Sequence, residues 1–218
     1  MSRSTSRPKA VQDLLSKAAA ATKKCDFFDA ERKLEKAMGM LRSRQDWEGM
    51  AETVEALLKA RQGRRKKTMA SRAAVRLVDE AIDETATVEP GRYLLQPPLV
   101  GADARRLRLQ AKDQDVEVLV VCREPTTRLG EIPVVAIAPG ATIRLRIDPP
   151  KSEAKPSASW FRSALEALGD EAVAMDRPDL ESSKRIDRLL ALLDAVPDAD
   201  APHARLIEAC RTAAAETD

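Results

Sequence analysis

The apolar residues of this chain change their period twice, and that restricts what it can fold into more than any other feature. Up to about residue 85, and again from about residue 157, they recur at steps of three and four, the period of a helix with one buried face. Between residues 88 and 150 they alternate, or run on continuously for six or seven positions, as strands do. The pattern predicts an α+β fold in which two helical segments flank a compact β region.

The front segment, residues 8–85, reads as four helices in antiparallel hairpins. Phe27, Ala30, Leu34, Ala37 and Leu41 form one apolar stripe, with Asp29, Arg32, Lys33 and Lys36 between them. Trp47, Met50, Ala51, Val54 and Leu58 form a second, with Asp46 placed to cap the helix by accepting from a free N–H of its first turn. Ala70, Ala74, Leu77, Val78 and Ala81 form a third stripe. The first helix, Val11 to Thr22, has a weaker pattern because Ala18–Ala21 leaves it no polar side. Gly39 and Gly49 fall within these helices, where a close approach of two helices or a helix end would account for them.

The run Phe27-x-x-Ala30-x-x-x-Leu34-x-x-Ala37 resembles the second helix of a tetratricopeptide repeat, in which small residues let the paired helix come close. Ser71-x-x-Ala74-x-x-x-Val78-x-x-Ala81 repeats the shape 44 residues later, against a family period of about 34. The resemblance implies a helical-hairpin scaffold whose groove holds a protein partner.

In the middle region, Tyr93–Leu95, Arg105–Gln110, Val116–Cys122, Ile132–Ala138 and Ile143–Ile147 read as five short strands. Asp113-Gln114 and Pro139-Gly140 stand where hairpin turns belong, and Pro97-Pro98 and Pro125 mark loops or strand edges. The expectation is an antiparallel meander closed into a small sandwich or barrel. Residues 149–157 are a linker by composition. Beyond it, Trp160, Phe161, Ala164, Leu165 and Leu168 make one helix, with Gly169 as its stop. Ile186, Leu189, Leu190 and Leu193 make a second, capped by Asp179 after Pro178 and ended by Pro197. Leu206, Ile207, Cys210 and Ala214 make a third. The domains expected are therefore 1–87 with a frayed start, 88–150, and 151–218.

Aromatic residues are only 3% of the chain, so aliphatic residues and Ala must fill the interior. Cys25, Cys122 and Cys210 are scattered, without the CxxC spacing of a zinc site and in a number that suits no disulfide framework. No apolar run approaches a membrane span, and Met1–Lys9 lacks the apolar core of a signal peptide, although it is free of acids in the manner of a transit peptide. These features predict a cytoplasmic protein that binds no membrane.

The inventory for catalysis is thin. His203 is the sole histidine, and its spacing to Leu206, Ile207 and Cys210 puts it on the buried side of the last helix. Cys210 is two turns away, about 10 Å by helix rise, too far for a direct Cys–His pair. No Gly-rich phosphate loop and no metal-ligand spacing is present, so neither a catalytic residue nor a cofactor is assigned. An enzyme would need residues assembled by folding, with Arg123, Glu124 and Arg128 the nearest candidates.

Charge is more informative. Residues 1–87 hold 19 basic against 13 acidic residues, and residues 151–218 hold 9 against 14. A basic front and an acidic back can attract each other within one molecule or between two, which makes a homo-oligomer an expectation as well. Lys59, Arg61, Arg64, Arg65, Lys66, Lys67, Arg72 and Arg76 follow one another with no acid between Glu55 and Asp79. They suit either the C-terminal end of the third helix, with Gly63 at a turn, or an anionic partner. Arg106, Arg108, Arg144 and Arg146 would line one sheet face if their strands were neighbours. Arginines on a sheet also discourage edge pairing. Tyr93 is the sole aromatic between residues 88 and 150, a poor base-stacking platform. The leading expectation is a non-catalytic protein-interaction or scaffold protein working through a helical groove. The alternative is an anion or nucleic-acid binder using Arg64, Arg65, Lys66, Lys67, Arg106, Arg108, Arg144 and Arg146.

Overall fold

The structure, a computed structural model, describes residues 7–217; the first six residues of the start read as frayed lie outside them. In chain order the elements are α1 (Lys9–Lys23), α2 (Phe27–Arg42), α3 (Trp47–Ala70), β1 (Arg76–Val78), β2 (Gly91–Leu95), α4 (Gly101–Asp113), β3 (Val118–Arg123), β4 (Ile132–Ala138), β5 (Ala141–Ile147), α5 (Ala158–Ala174), α6 (Ser182–Ala195) and α7 (Asp200–Thr217). The class is mixed α and β.

The described residues fall into two compact units, neither of them continuous in sequence. One holds residues up to Gly63, Asp176–Leu190, and the chain from His203; the other holds Arg64–Met175 and Ala191–Pro202. This division falls at other points than the expected boundaries of 87 and 150. Composition changes at those points, but α3 runs on past the first unit and the C-terminal helices are shared out between the two.

In the first unit, α1 and α2 pack on each other. Ala18 and Ala21 of α1, Ala30 and Leu34 of α2, and Leu57 and Ala60 of α3 form a common core. Small residues on three helices allow the close packing that the stripe of α2 implied. Asp46 caps α3, its Oδ1 accepting from the Gly49 N–H at 2.8 Å. Gly63 is no turn: it lies inside α3, and a Cβ there would stand 2.4 Å from the Phe27 ring. Arg42 holds Asp187 through both carboxylate oxygens, and Arg211 pairs with Glu55, so α6 and α7 supply acids and bases to the first helices.

The second unit carries an open five-stranded sheet in the order β1-β2-β3-β4-β5. The strands β1, β2 and β3 are parallel, and β3, β4 and β5 antiparallel. The antiparallel sandwich or barrel expected is corrected here, and so are two elements behind it. Arg105–Gln110 is not a strand but the middle of α4. Leu107 and Leu109 alternate, yet Gly101, Ala104, Leu107 and Ala111 are the residues buried, at helical steps. Asp103 secures the start by accepting from the Val100 N–H at 2.8 Å. With a helix between β2 and β3 the chain returns to its starting end, so those strands run parallel. Asp113-Gln114 is then the end of α4 rather than a hairpin turn.

The fourth front helix is also absent: residues 71–75 are not helical and 76–78 form β1. Arg92 of β2, 3% exposed, explains where α3 stops. Its guanidinium donates to the carbonyls of Thr68, Met69 and Ser71 at 3.1–3.2 Å, and to that of Ala73. The orphan carbonyls of a helix end thus receive a cation, as the helix dipole favours. The core of the unit joins Tyr93 and Leu95 of β2, Val118 and Cys122 of β3, and Val135 of β4 to Ala104, Leu107 and Ala111 of α4. The helix α5 packs on β3, β4 and β5. Gly169 does not stop α5 but lies within it, where a Cβ would meet the Ala199 Cβ at 2.5 Å. Asp179 pairs with Arg177 ahead of α6 instead of capping it.

A candidate anion-binding cleft at the sheet edge

The β4–β5 hairpin turns at Pro139-Gly140, Gly140 taking a φ of 79° that a side chain would resist. Ala138 pairs with Ala141, and the ladder continues to Ile132 opposite Ile147. Residues opposite one another share a face, which puts Arg144 beside Val135 and Arg146 beside Pro133. Along β5, Ala141 and Ile143 are buried while Thr142, Arg144 and Arg146 are exposed.

The connection from β3 to β4 folds over this end of the hairpin. It is closed by the Thr127 N–H donating to the Glu131 carbonyl at 2.8 Å, the Gly130 N–H donating to the Thr127 carbonyl at 3.0 Å, and the Glu131 N–H donating to Thr127 Oγ1 at 3.2 Å. Between loop and strand lies a cleft of about 350 Å³ lined by Glu124, Pro125, Thr127, Pro133, Arg144, Leu145 and Arg146. Arg144 donates to Glu124, and Arg146 lies 3.6 Å from Glu131. Both guanidinium groups are open to solvent, at 62% and 63% exposure, and keep N–H donors beyond these exposed pairs. Exposed ion pairs of this kind are worth about 0–1 kcal/mol, so an arriving anion displaces or shares them easily. At the tip of the loop Leu129 is 82% exposed, one of two large apolar side chains so placed among the described residues.

The other sequence candidates are distributed differently. Arg64 is buried against Asp198 at 2.7 Å; Arg65 pairs with Asp200 at 2.8 Å, and Lys67 with Glu117 at 2.5 Å. Lys66 is exposed on α3. Arg61 is buried among Glu31, Glu35 and His203, each at 3.2 Å. The four-arginine sheet face does not form, because Arg106 and Arg108 belong to α4. Arg106 pairs there with Glu84 and Asp103, and Arg108 donates to the carbonyls of Asp194 and Ala195. Of the eight residues named, Arg144 and Arg146 are brought together in a cleft. Sequence reasoning missed its other wall: Thr127 and the loop that it closes carry no motif, and Pro125 and Pro133 were the available hints.

His203 and Cys210 are both fully buried, and burial pushes the thiols of Cys122 and Cys210 up to about 12. Arg123 is held by Gln96 and Glu153 outside the cleft lining, leaving Glu124 as the one carboxylate there. Among the described residues no three His, Cys, Asp or Glu side chains group as metal ligands, and no helix is long and apolar enough to cross a membrane. Two guanidinium forks, one hydroxyl and apolar walls suit carboxylate groups on a flexible chain. No protein-family model, no curated protein and no solved structure matches this chain.

Proposed function

We propose that this protein is a non-catalytic interaction protein that holds an acidic segment of a partner protein in the cleft beside β5. The observation that carries the reading is the pairing of Arg144 and Arg146, exposed and adjacent on one strand, with a cleft of about 350 Å³. The site differs from the helical groove expected from the repeat-like stripe. Around α2 and α3 the chain's own α6 and α7 supply partners, among them Asp187 for Arg42 and His203 for Arg61. The stretch from Lys59 to Lys67 is a weaker anion site because Arg61 and Arg64 are buried against Glu31, Glu35 and Asp198, and Arg65 is half-buried beside Asp200.

Titration of fluorescein-labelled hexaglutamate, followed by anisotropy, tests the reading. Binding to the wild type should weaken about tenfold in the Arg144→Gln/Arg146→Gln variant, the equivalent of roughly 1.4 kcal/mol of charge-assisted hydrogen bonding. Equal affinity for the two proteins would reject the site.

A further inference from the structure

β5 is the last strand of the sheet, hydrogen-bonded to β4 alone. Which of its backbone groups are free follows from the register. Pro133 faces Arg146 across the β4–β5 ladder, and the Pro133 carbonyl accepts from the Glu124 N–H at 2.8 Å, on the β3 side. Pro133 therefore turns its backbone away from β5, and the Pro133–Arg146 pair is of the wide, non-bonded kind. The pattern alternates, so Val135–Arg144 and Ile137–Thr142 are non-bonded pairs as well. The tight turn gives the same parity, since the residues flanking a two-residue turn form a bonded pair and these are Ala138 and Ala141. Hence the N–H and C=O groups of Thr142, Arg144 and Arg146 point outward. Among the described residues none of them has a backbone partner.

All three residues whose backbone is open have exposed side chains, and two of them, Arg144 and Arg146, are cationic. An incoming antiparallel strand would pair directly with Thr142, Arg144 and Arg146, and each residue opposite them would put its side chain on the arginine face. We infer that this edge receives a sixth strand from a partner protein, an extended segment with acidic residues at every second position. This rests on the reading of the cleft as an acidic-segment site and adds how the segment is held. A second copy fits worse: β5 paired with itself in full register sets Arg144 against its own copy and repels. A nucleic-acid backbone fits worse too, because phosphates only accept, whereas a strand edge presents donors and acceptors alternately.

Amide hydrogen exchange of the full chain, followed by NMR with and without an eight-residue peptide of alternating Glu and Val, tests the inference. In the free protein the amides of Thr142, Arg144 and Arg146 should exchange quickly while those of Ile143 and Leu145 are protected. With peptide the outward three should slow by about tenfold or more, as amides do on entering a ladder. Thr142→Pro removes one outward N–H, keeps both arginines and spares the bonds to β4. It should weaken the peptide several-fold while the Ile143 and Leu145 amides stay protected. Peptide binding that leaves the outward amides unprotected would overturn strand addition and leave the acidic-segment reading standing. No binding at all would end both. A Lys–Val peptide or a single-stranded oligonucleotide giving the same protection would overturn the acidic strand as the occupant.

Discussion

At the scale of single residues, the charged side chains that matter most are those the fold surrounds. Asp176 accepts from Arg185 at 2.6 and 3.1 Å, with Arg205 at 3.7 Å. Burial raises its pKa, but the Arg185 hydrogen bonds and the two guanidinium charges outweigh that and hold it below the ordinary carboxylate value. A group depressed in the folded state stabilises the fold above its unfolded pKa of about 3.9, and that contribution is lost as pH falls through the lower folded value. Asp176→Asn should therefore cost about 2 kcal/mol in urea unfolding at pH 7. The gap to the wild type should begin to narrow below about pH 4, where the unfolded chain takes up the proton, and close as pH falls through the lower folded value. A gap unchanged at pH 3 would contradict this account of the residue.

At the scale of elements, what the sequence shows and what it hides have physical causes. The stripes of α2, α5, α6 and α7 are legible because each buries a face at steps of three and four. The β4–β5 hairpin is legible because Pro139-Gly140 allows little but a turn. The helix α4 is not, since six residues with Leu107 and Leu109 fit either period and the deciding Gly101 and Ala104 lie outside that window. The end of α3 is hidden for another reason: it depends on Arg92, more than twenty residues away in sequence, whose guanidinium collects the carbonyls of Thr68, Met69, Ser71 and Ala73. Of the cleft, Arg144 and Arg146 were legible from strand alternation, whereas Thr127 and its loop needed the tertiary fold. Removing the cap should be costly. Arg92→Met leaves the buried Thr68 carbonyl and the part-buried bonds of Met69, Ser71 and Ala73 without their donor and should cost about 2 kcal/mol or more by urea denaturation. A loss within about 0.5 kcal/mol, the range of ordinary surface changes, would show that α3 ends for some other reason.

At the scale of the whole molecule, part of the opposed charge of the front and back of the chain is matched inside each unit. Arg42 meets Asp187 in one; Arg64 meets Asp198 and Arg65 meets Asp200 in the other. The net charge of the chain is +2, and four of the eight residues of the basic run, Arg61, Arg64, Arg65 and Lys67, face carboxylates. The arginines of β5 also face carboxylates, Glu124 and Glu131, but both stay open to solvent beside a cleft, which is why we propose recognition there. Chemical-shift mapping with hexaglutamate on the ¹⁵N-labelled full chain asks directly where an anionic chain settles. The largest shifts are expected at residues 124–133 and 142–146; shifts concentrated on α3 between Lys59 and Lys67 would contradict the assignment.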